Sequence, residues 1–470
     1  MTPRVRGGSA GSYHADPKGS ELPDVRVPPP GPTSRRLAEL AVRREPSPAV
    51  GAVDGGVPIA WHRARGAVVL DADGNRYVDM TGGFGAALVG HRNPRVVAAV
   101  ERAAGRLLHA LGDAAPHPDR VALARELTAR APVADGVCYF ASSGAEAVEL
   151  ALKTAHLATG RLGVVAFEGG YHGTSLGALR ATARRDFRAP FEDALVPATL
   201  RVPYADCFRC PYRLTYPTCG LACLDAAMTE VDAWQGDPAR PRLGAVVVEP
   251  IQGREGVIVP PPGWLARLGA EARARRLVVI ADEILTGGGR TGRWWASRSL
   301  APDLVTMGKG ITGGMPLAAI VGRRELMAEW EAPGEARHTT TFLAHPPSVS
   351  AARAALAEIA RRDLPRRARA IGRWLGAGLL RIARRYPVVG DVRGRGALWG
   401  IDLVADRATR EPDALAARRL AAGLADRGYL ALAGGQWGNV IELTPPLTIT
   451  PRQVAGFLRA LEEALDATAS

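Results

Sequence analysis

The sequence has almost no lysine. Of its 60 basic residues, only Lys18, Lys153 and Lys309 are lysines, and the rest are arginine. Where a generic positive charge suffices, arginine has taken over, so each remaining lysine invites a chemical reason. The chain also lacks any apolar run near the roughly 20 residues needed to cross a bilayer, which argues against a membrane protein. Its start, MTPRVRGGSAGS, has basic residues with no apolar core behind them. That is not the pattern of a secretory signal, and a cytoplasmic protein is expected. Acidic residues are in deficit, leaving a formal charge of +13. Such a charge invites a nucleic-acid reading, but the arginines are scattered through helical patterns such as RLAELAVRRE. No zinc-finger, RNA-binding or helix-turn-helix signature accompanies them. They read as solvated helix faces, and no nucleic-acid partner is expected.

Cysteine is scarce too, at five residues, yet four fall together as C-x2-C-x8-C-x3-C: Cys207, Cys210, Cys219 and Cys223. Four thiols can bind zinc tetrahedrally. The middle spacing is short for a ribbon or finger, and no metal is assigned. Structural disulfides are disfavoured in a cytoplasmic chain.

What is present is a regular alternation. Residues 1–33, rich in Gly, Pro and Ser, read as a disordered or extended arm. Residues 34–90 read as the N-terminal part of a small domain, with GAVVLDADGNRYVDM (66–80) as a β-hairpin. Over 91–345, helical patterns alternate with the β-branched runs GVCYF, LGVVAF, LGAVVVEP, RLVVIADE and LAAIVGR. This predicts an α/β domain with a mostly parallel central sheet flanked by helices. Residues 346–470 read as a smaller α+β domain, opening on one long Ala/Arg helix.

In open α/β sheets, ligands bind beyond the carboxyl ends of the strands. After GVCYF, Ser143, Gly144 and Ala145 open a long helix whose free N–H groups suit a phosphate, although many ordinary helices begin this way. After LGVVAF, Tyr171 stands among glycines, where it could lie flat on a planar ligand or simply pack in the core. After RLVVI, Asp282 sits at a buried strand terminus. It needs a positive partner, either a protonated pyridine nitrogen or a structural ion pair. Lys309 lies in DLVTMGKGITGG, an apolar glycine loop that could desolvate its amine and keep it partly neutral, as a Schiff-base lysine requires.

Taken in order, these motifs resemble the class III (ω-type) aminotransferases of pyridoxal phosphate (PLP) fold type I, such as the 4-aminobutyrate and acetylornithine enzymes. The resemblance spans about residues 30–465. It rests on DADGNRYVDM, GHRNPRVVAAV, SSGAEAVELALKTA, GGYHGTS, VVVEPIQGREG, ADEILTGGGRTG, APDLVTMGKGITGGMPLAAIVGR and GDVRGRGALWGIDL. It implies that Lys309 forms the Schiff base and shuttles a proton, while Asp282 holds the pyridinium proton. Tyr171 and Ile284 would cover the two ring faces. Ser143, Gly144 and Ala145 would bind the phosphate, completed by Thr341 (or Thr340) of a neighbouring subunit, hence a homodimer with its active sites at the interface. Phe84, Glu249 and Glu442 would line the substrate.

Three departures bear on substrate. Leu285 stands where the family has a glutamine. Thr174 stands where some 4-aminobutyrate enzymes have an arginine. Glu442 stands where an arginine usually grips the substrate carboxylate. If Glu249 and Glu442 face one pocket, a cation between them is needed, and the simplest is the substrate. An amine or amino-sugar is therefore expected, as in aminoglycoside-type specialised metabolism, unless Glu442 points away to an arginine elsewhere. A PLP-dependent epimerase or racemase is the alternative, and it would need a second proton carrier opposite Lys309. A PLP-binding regulator would need an added DNA-binding domain, and none is visible.

Overall fold

The computed structural model describes residues 21–46, 58–331 and 333–469. A seven-stranded sheet lies at its centre. Across that sheet the strands run Gly136–Ala141, Ala318–Arg323, Leu304–Met307, Val278–Asp282, Leu243–Val248, Gly163–Phe167 and Thr199–Val202. The last five pair in parallel, and Ala318–Arg323 runs antiparallel to both its neighbours. The fold is the expected mostly parallel α/β type. Two strands escape the sequence reading, Thr199–Val202 and Leu304–Met307. Each is four residues long. The first carries an arginine in mid-run, and the second runs straight into the Lys309 loop.

Period-2 alternation explains why the strands look uniformly apolar. Val165, Phe167, Val246, Val248, Val279, Ala281, Val305 and Met307 point into one core. Val164, Ala166, Ala245, Val247, Val278, Ile280 and Leu304 point into the other. The second core is closed by the helix Gly144–Thr159 through Val148, Leu150, Ala151 and Ala155. The first is closed by helices Pro118–Arg130, Ala222–Gly236, Trp264–Ala274 and Pro346–Arg361. Full burial of each Val or Leu contributes about 1.5–3 kcal/mol relative to exposure. This two-sided core fixes where the strand ends lie.

The expected hairpin is present as Val68–Asp71 and Arg76–Asp79. It joins Trp61–Arg65 and, in parallel, Tyr429–Leu430 from the far end of the chain. Of the expected N-terminal arm, residues 1–20 lie outside the described residues. The rest is tied down: Asp24 pairs with Arg76, and Asn75 Oδ1 accepts from the backbone N–H groups of Arg26 and Val27. A third sheet orders Val389–Arg395, Leu398–Asp406, Val440–Leu443 and Leu432–Gly434.

The single long helix expected after 346 is two helices, Pro346–Arg361 and Leu364–Arg385. Asp363 breaks them apart in left-handed backbone (φ 42°), and its side chain caps the second. The Ala/Arg composition is the same on both sides of the break, and Pro365 in the first turn of the second helix is the sequence signal that marks it. The first of the two packs on helices Pro94–Ala104 and Pro118–Arg130, beside the central sheet. Among the described residues, no helix is long and apolar enough to cross a membrane.

Candidate active site

Asp282 is the last residue of its strand and is only 4% exposed. Its carboxylate accepts three hydrogen bonds. His172 Nδ1 donates to Oδ2 at 2.8 Å, and the Ile284 N–H and Thr306 hydroxyl donate to Oδ1, each at 3.1 Å. Burial pulls the His172 pKa down, but the Asp282 bond and charge, with Glu249, more than offset it and the net shift is upward. The His172 Nε2 is buried without a partner among the described residues. The sequence analysis did not single out His172 or Thr306. The signal was there: a buried aspartate requires donors, and His172 directly follows Tyr171.

Lys309 follows the strand Leu304–Met307 and adopts left-handed backbone, φ 40°, unusual for a side-chain-bearing residue. Burial pushes its amine below the ordinary lysine pKa. Glu249, Asp282 and Glu442 act against that shift, and Arg254 adds to it. Charged groups distant in sequence thus all act on one buried amine.

Ser143 caps the helix Gly144–Thr159, its Oγ accepting from Glu146 N–H. The first turn leaves N–H groups of Gly144 and Ala145 without intrahelical acceptors. A Cβ at Gly144 would come within 3.0 Å of Ile284, and one at Gly308 within 3.7 Å of it. Ile284 thus lies between the helix start and the Lys309 loop. Gly173, at φ 116°, is pressed against Ala145, and Ser142 Oγ is buried without a partner. An anion-seeking helix start, an apolar wall at Ile284, a buried carboxylate and a desolvated amine converge here. The residues present fit pyridoxal phosphate.

Tyr171 is half-buried beside them. Its N–H donates to Glu249 Oε1 at 2.9 Å, and Gly253 N–H donates to Oε2 at 3.0 Å. Burial drives the Glu249 carboxyl up to about 7; His172 opposes the shift and Asp282 adds to it. Glu442 Oε1 accepts from Gly435 N–H at 3.1 Å. Burial raises Glu442 to about 7 as well, opposed first by Arg254, then by the Gly435 bond, Lys309 and Arg184. Three cations of the chain, Arg254, Lys309 and Arg184, thus act on Glu442, and none forms an ion pair with it among the described residues. Leu285 packs against Gly253 and Gly85, next to Phe84. Phe84 is 65% exposed, and Thr174 is also exposed.

Thr341 is exposed, its carbonyl accepting from His109 Nε2 at 2.7 Å. No hydrogen bond joins it to the Ser143–Ala145 helix start of its own chain. Cys207, Cys210, Cys219 and Cys223 line one small cavity away from this site, and all are free thiols. Among the described residues, no group of three or more His, Cys, Asp or Glu side chains is placed to hold a metal ion.

The Aminotransferase class-III family model matches residues 50–465. A 4-aminobutyrate aminotransferase of Mycobacterium tuberculosis is 37% identical over 89% of this chain and 93% of its own length. A leucine/methionine racemase of Thermococcus litoralis is 32% identical, covering 87% and 90%. The PLP-bound structure of an amine transaminase from an uncultivated Pseudomonas species superposes with a TM-score of 0.81 at 30% identity, covering 87% of this chain and 95% of that one. With the family model spanning residues 50–465 and the fold in agreement, the chain belongs to the class III aminotransferases, enzymes that work with pyridoxal phosphate.

Proposed function

We propose that Lys309 and Asp282 are the catalytic residues of amino transfer between a primary amine and an oxo acid. Bound PLP supplies an electron-accepting ring for the bond broken at the amine carbon. The Lys309 amine attaches the cofactor and then carries the proton to and from the substrate carbon. Asp282, oriented by His172 and Thr306, holds the proton on the ring nitrogen. Ser143, Gly144 and Ala145 receive the phosphate, Tyr171 and Ile284 flank the ring, and Phe84, Glu249 and Glu442 border the substrate. Thr341 is exposed rather than turned to its own chain's phosphate site, which supports a homodimer in which it serves the neighbouring subunit. The observation that carries the reading is that Ile284, two residues after Asp282, packs against both Gly144 at the helix start and Gly308 beside the buried Lys309.

The test is spectral. With a reactive amine, the protein-bound pyridoxal band should give way to the pyridoxamine band. Lys309→Ala should lose the band of lysine-bound cofactor and all turnover while keeping the fold by circular dichroism. Near-normal turnover in that variant would remove Lys309 from the chemistry. The racemase relative keeps a second reaction in play. That reaction would invert a chiral amine without building up the pyridoxamine band.

A further inference from the structure

A cavity of about 170 Å³ lies where loops after two central strands meet the C-terminal part of the chain. None of the residues assigned above to cofactor or substrate lines it. One ordered water needs only about 10–15 Å³, so the space far exceeds a single structural water. Two of its walls are tied together, because Gln252 Nε2 donates to the Glu168 carbonyl at 2.7 Å. The exposed Gln436 and Trp437 mark its open side.

Two arginines and four acids line this space. The arginines are spent inside the protein. Arg209 grips both carboxylate oxygens of the fully buried Asp402. Arg393 donates to Asp391, Asp402 and the Gly256 carbonyl. Asp402 is thereby satisfied as well. The other three acids, Glu168, Asp206 and Glu255, form no ion pair among the described residues. Asp206 Oδ1 accepts only from the backbone N–H groups of Phe208 and Arg209.

Two buried acceptors on the lining have no partner, Glu255 Oε2 and Asn439 Oδ1. Asn439 is 0% exposed. Its amide nitrogen donates to Asp402 Oδ1 at 2.8 Å and to the Leu403 carbonyl at 3.0 Å, which leaves the amide oxygen as the free atom. Burial without a counter-charge pushes the Glu255 carboxyl up to about 7. The one unpartnered donor on the lining, Arg209 Nε, belongs to a guanidinium that lies over the Phe208 and Trp437 rings, 4.7 and 5.2 Å from their centroids. Free acceptors and unpaired acids, beside cations already committed, call for a positively charged donor.

We propose that this cavity binds a small organic cation, an ammonium held by Glu255, Asp206 and the Asn439 amide oxygen, at a place separate from Lys309. The site goes beyond the amino transfer proposed above and does not depend on it.

Diethanolamine is the probe. It is a cation near pH 8, where Glu255 is ionised, and it lacks the primary amino group that amino transfer requires. Diethylene glycol has the same shape, with an uncharged ether oxygen in place of the nitrogen. Calorimetry on the PLP-loaded enzyme should give one diethanolamine site per chain, with diethylene glycol bound at least about tenfold more weakly. Glu255→Gln should weaken diethanolamine by about tenfold or more. Glu168→Gln, at an exposed position that leaves the fold undisturbed, should weaken it too. Glu442→Gln should leave its affinity unchanged, which separates this cavity from the substrate pocket. No heat beyond dilution in the wild type would mean that the cavity holds only water. That result, equal affinity for the two probes, wild-type affinity in both Glu255→Gln and Glu168→Gln, or binding lost in Glu442→Gln would each overturn the assignment.

Discussion

At the scale of single residues, the site works by taking charges out of water. Lys309, Glu249 and Glu442 each sit where burial opposes their ionised form. For Glu249 this has a consequence for stability. In the unfolded chain its carboxyl titrates near the ordinary 4.5, and in the folded chain at about 7. Below 4.5 both states hold the proton and no stability is lost. Between 4.5 and 7 the folded state keeps a proton that the unfolded state has released. Stability therefore falls as pH rises through that window, by about 3 kcal/mol for this group. Chemical denaturation of wild type and Glu249→Gln at pH 5 and pH 7 checks this. The variant should lose less stability between the two values, and equal losses would mean that Glu249 takes up no proton.

At the scale of elements, the site is a meeting of strand ends and one helix start. The helix Gly144–Thr159 is locally well specified, with Ser143 as its cap and Gly160 in left-handed backbone at its end. What positions it is the loop through Gly173. A Cβ there would strike the Ala145 backbone and side chain, and the φ of 116° is one that L side chains rarely adopt. Gly173→Ala should therefore cost about 1–3 kcal/mol of stability. It should also push the Tyr171–His172 segment off the helix start, weakening PLP binding at least tenfold. Cofactor titration by absorbance measures the second effect. Tight PLP binding with an unchanged melting temperature would show that this close approach is dispensable.

At the scale of the whole molecule, the question is whether one chain makes a complete site. The exposed Thr341 predicts that it does not. Thr341→Asp should place a negative charge at the neighbour's phosphate site and, like Lys309→Ala, inactivate the enzyme. In a hybrid dimer of the two variants, one site carries both lesions and the other carries neither. Co-expressing the two with different tags and purifying the hybrid should therefore recover activity that neither parent shows. An inactive hybrid would mean that Thr341 acts within its own chain or not at all.

Much of this was legible in the sequence, for a physical reason. Two-sided burial makes central strands read as unbroken β-branched runs, and chemistry falls just after them. Asp282, Tyr171 and Ser143 were visible because each follows such a run; Lys309 stood out because the chain has so few lysines and this one lies in an apolar glycine loop. What the sequence could not carry is contact between segments far apart. His172 on Asp282, Thr306 below it, and Ile284 wedged between Gly144 and Gly308 all depend on how the strands are ordered across the sheet. The substrate side shows this most sharply. From sequence alone, Glu249 and Glu442 were two acids that needed a cation between them. Only the tertiary structure shows what holds each: Glu249 accepts from the Tyr171 and Gly253 N–H groups, and Glu442 from Gly435 N–H, because loops distant in the chain close on them.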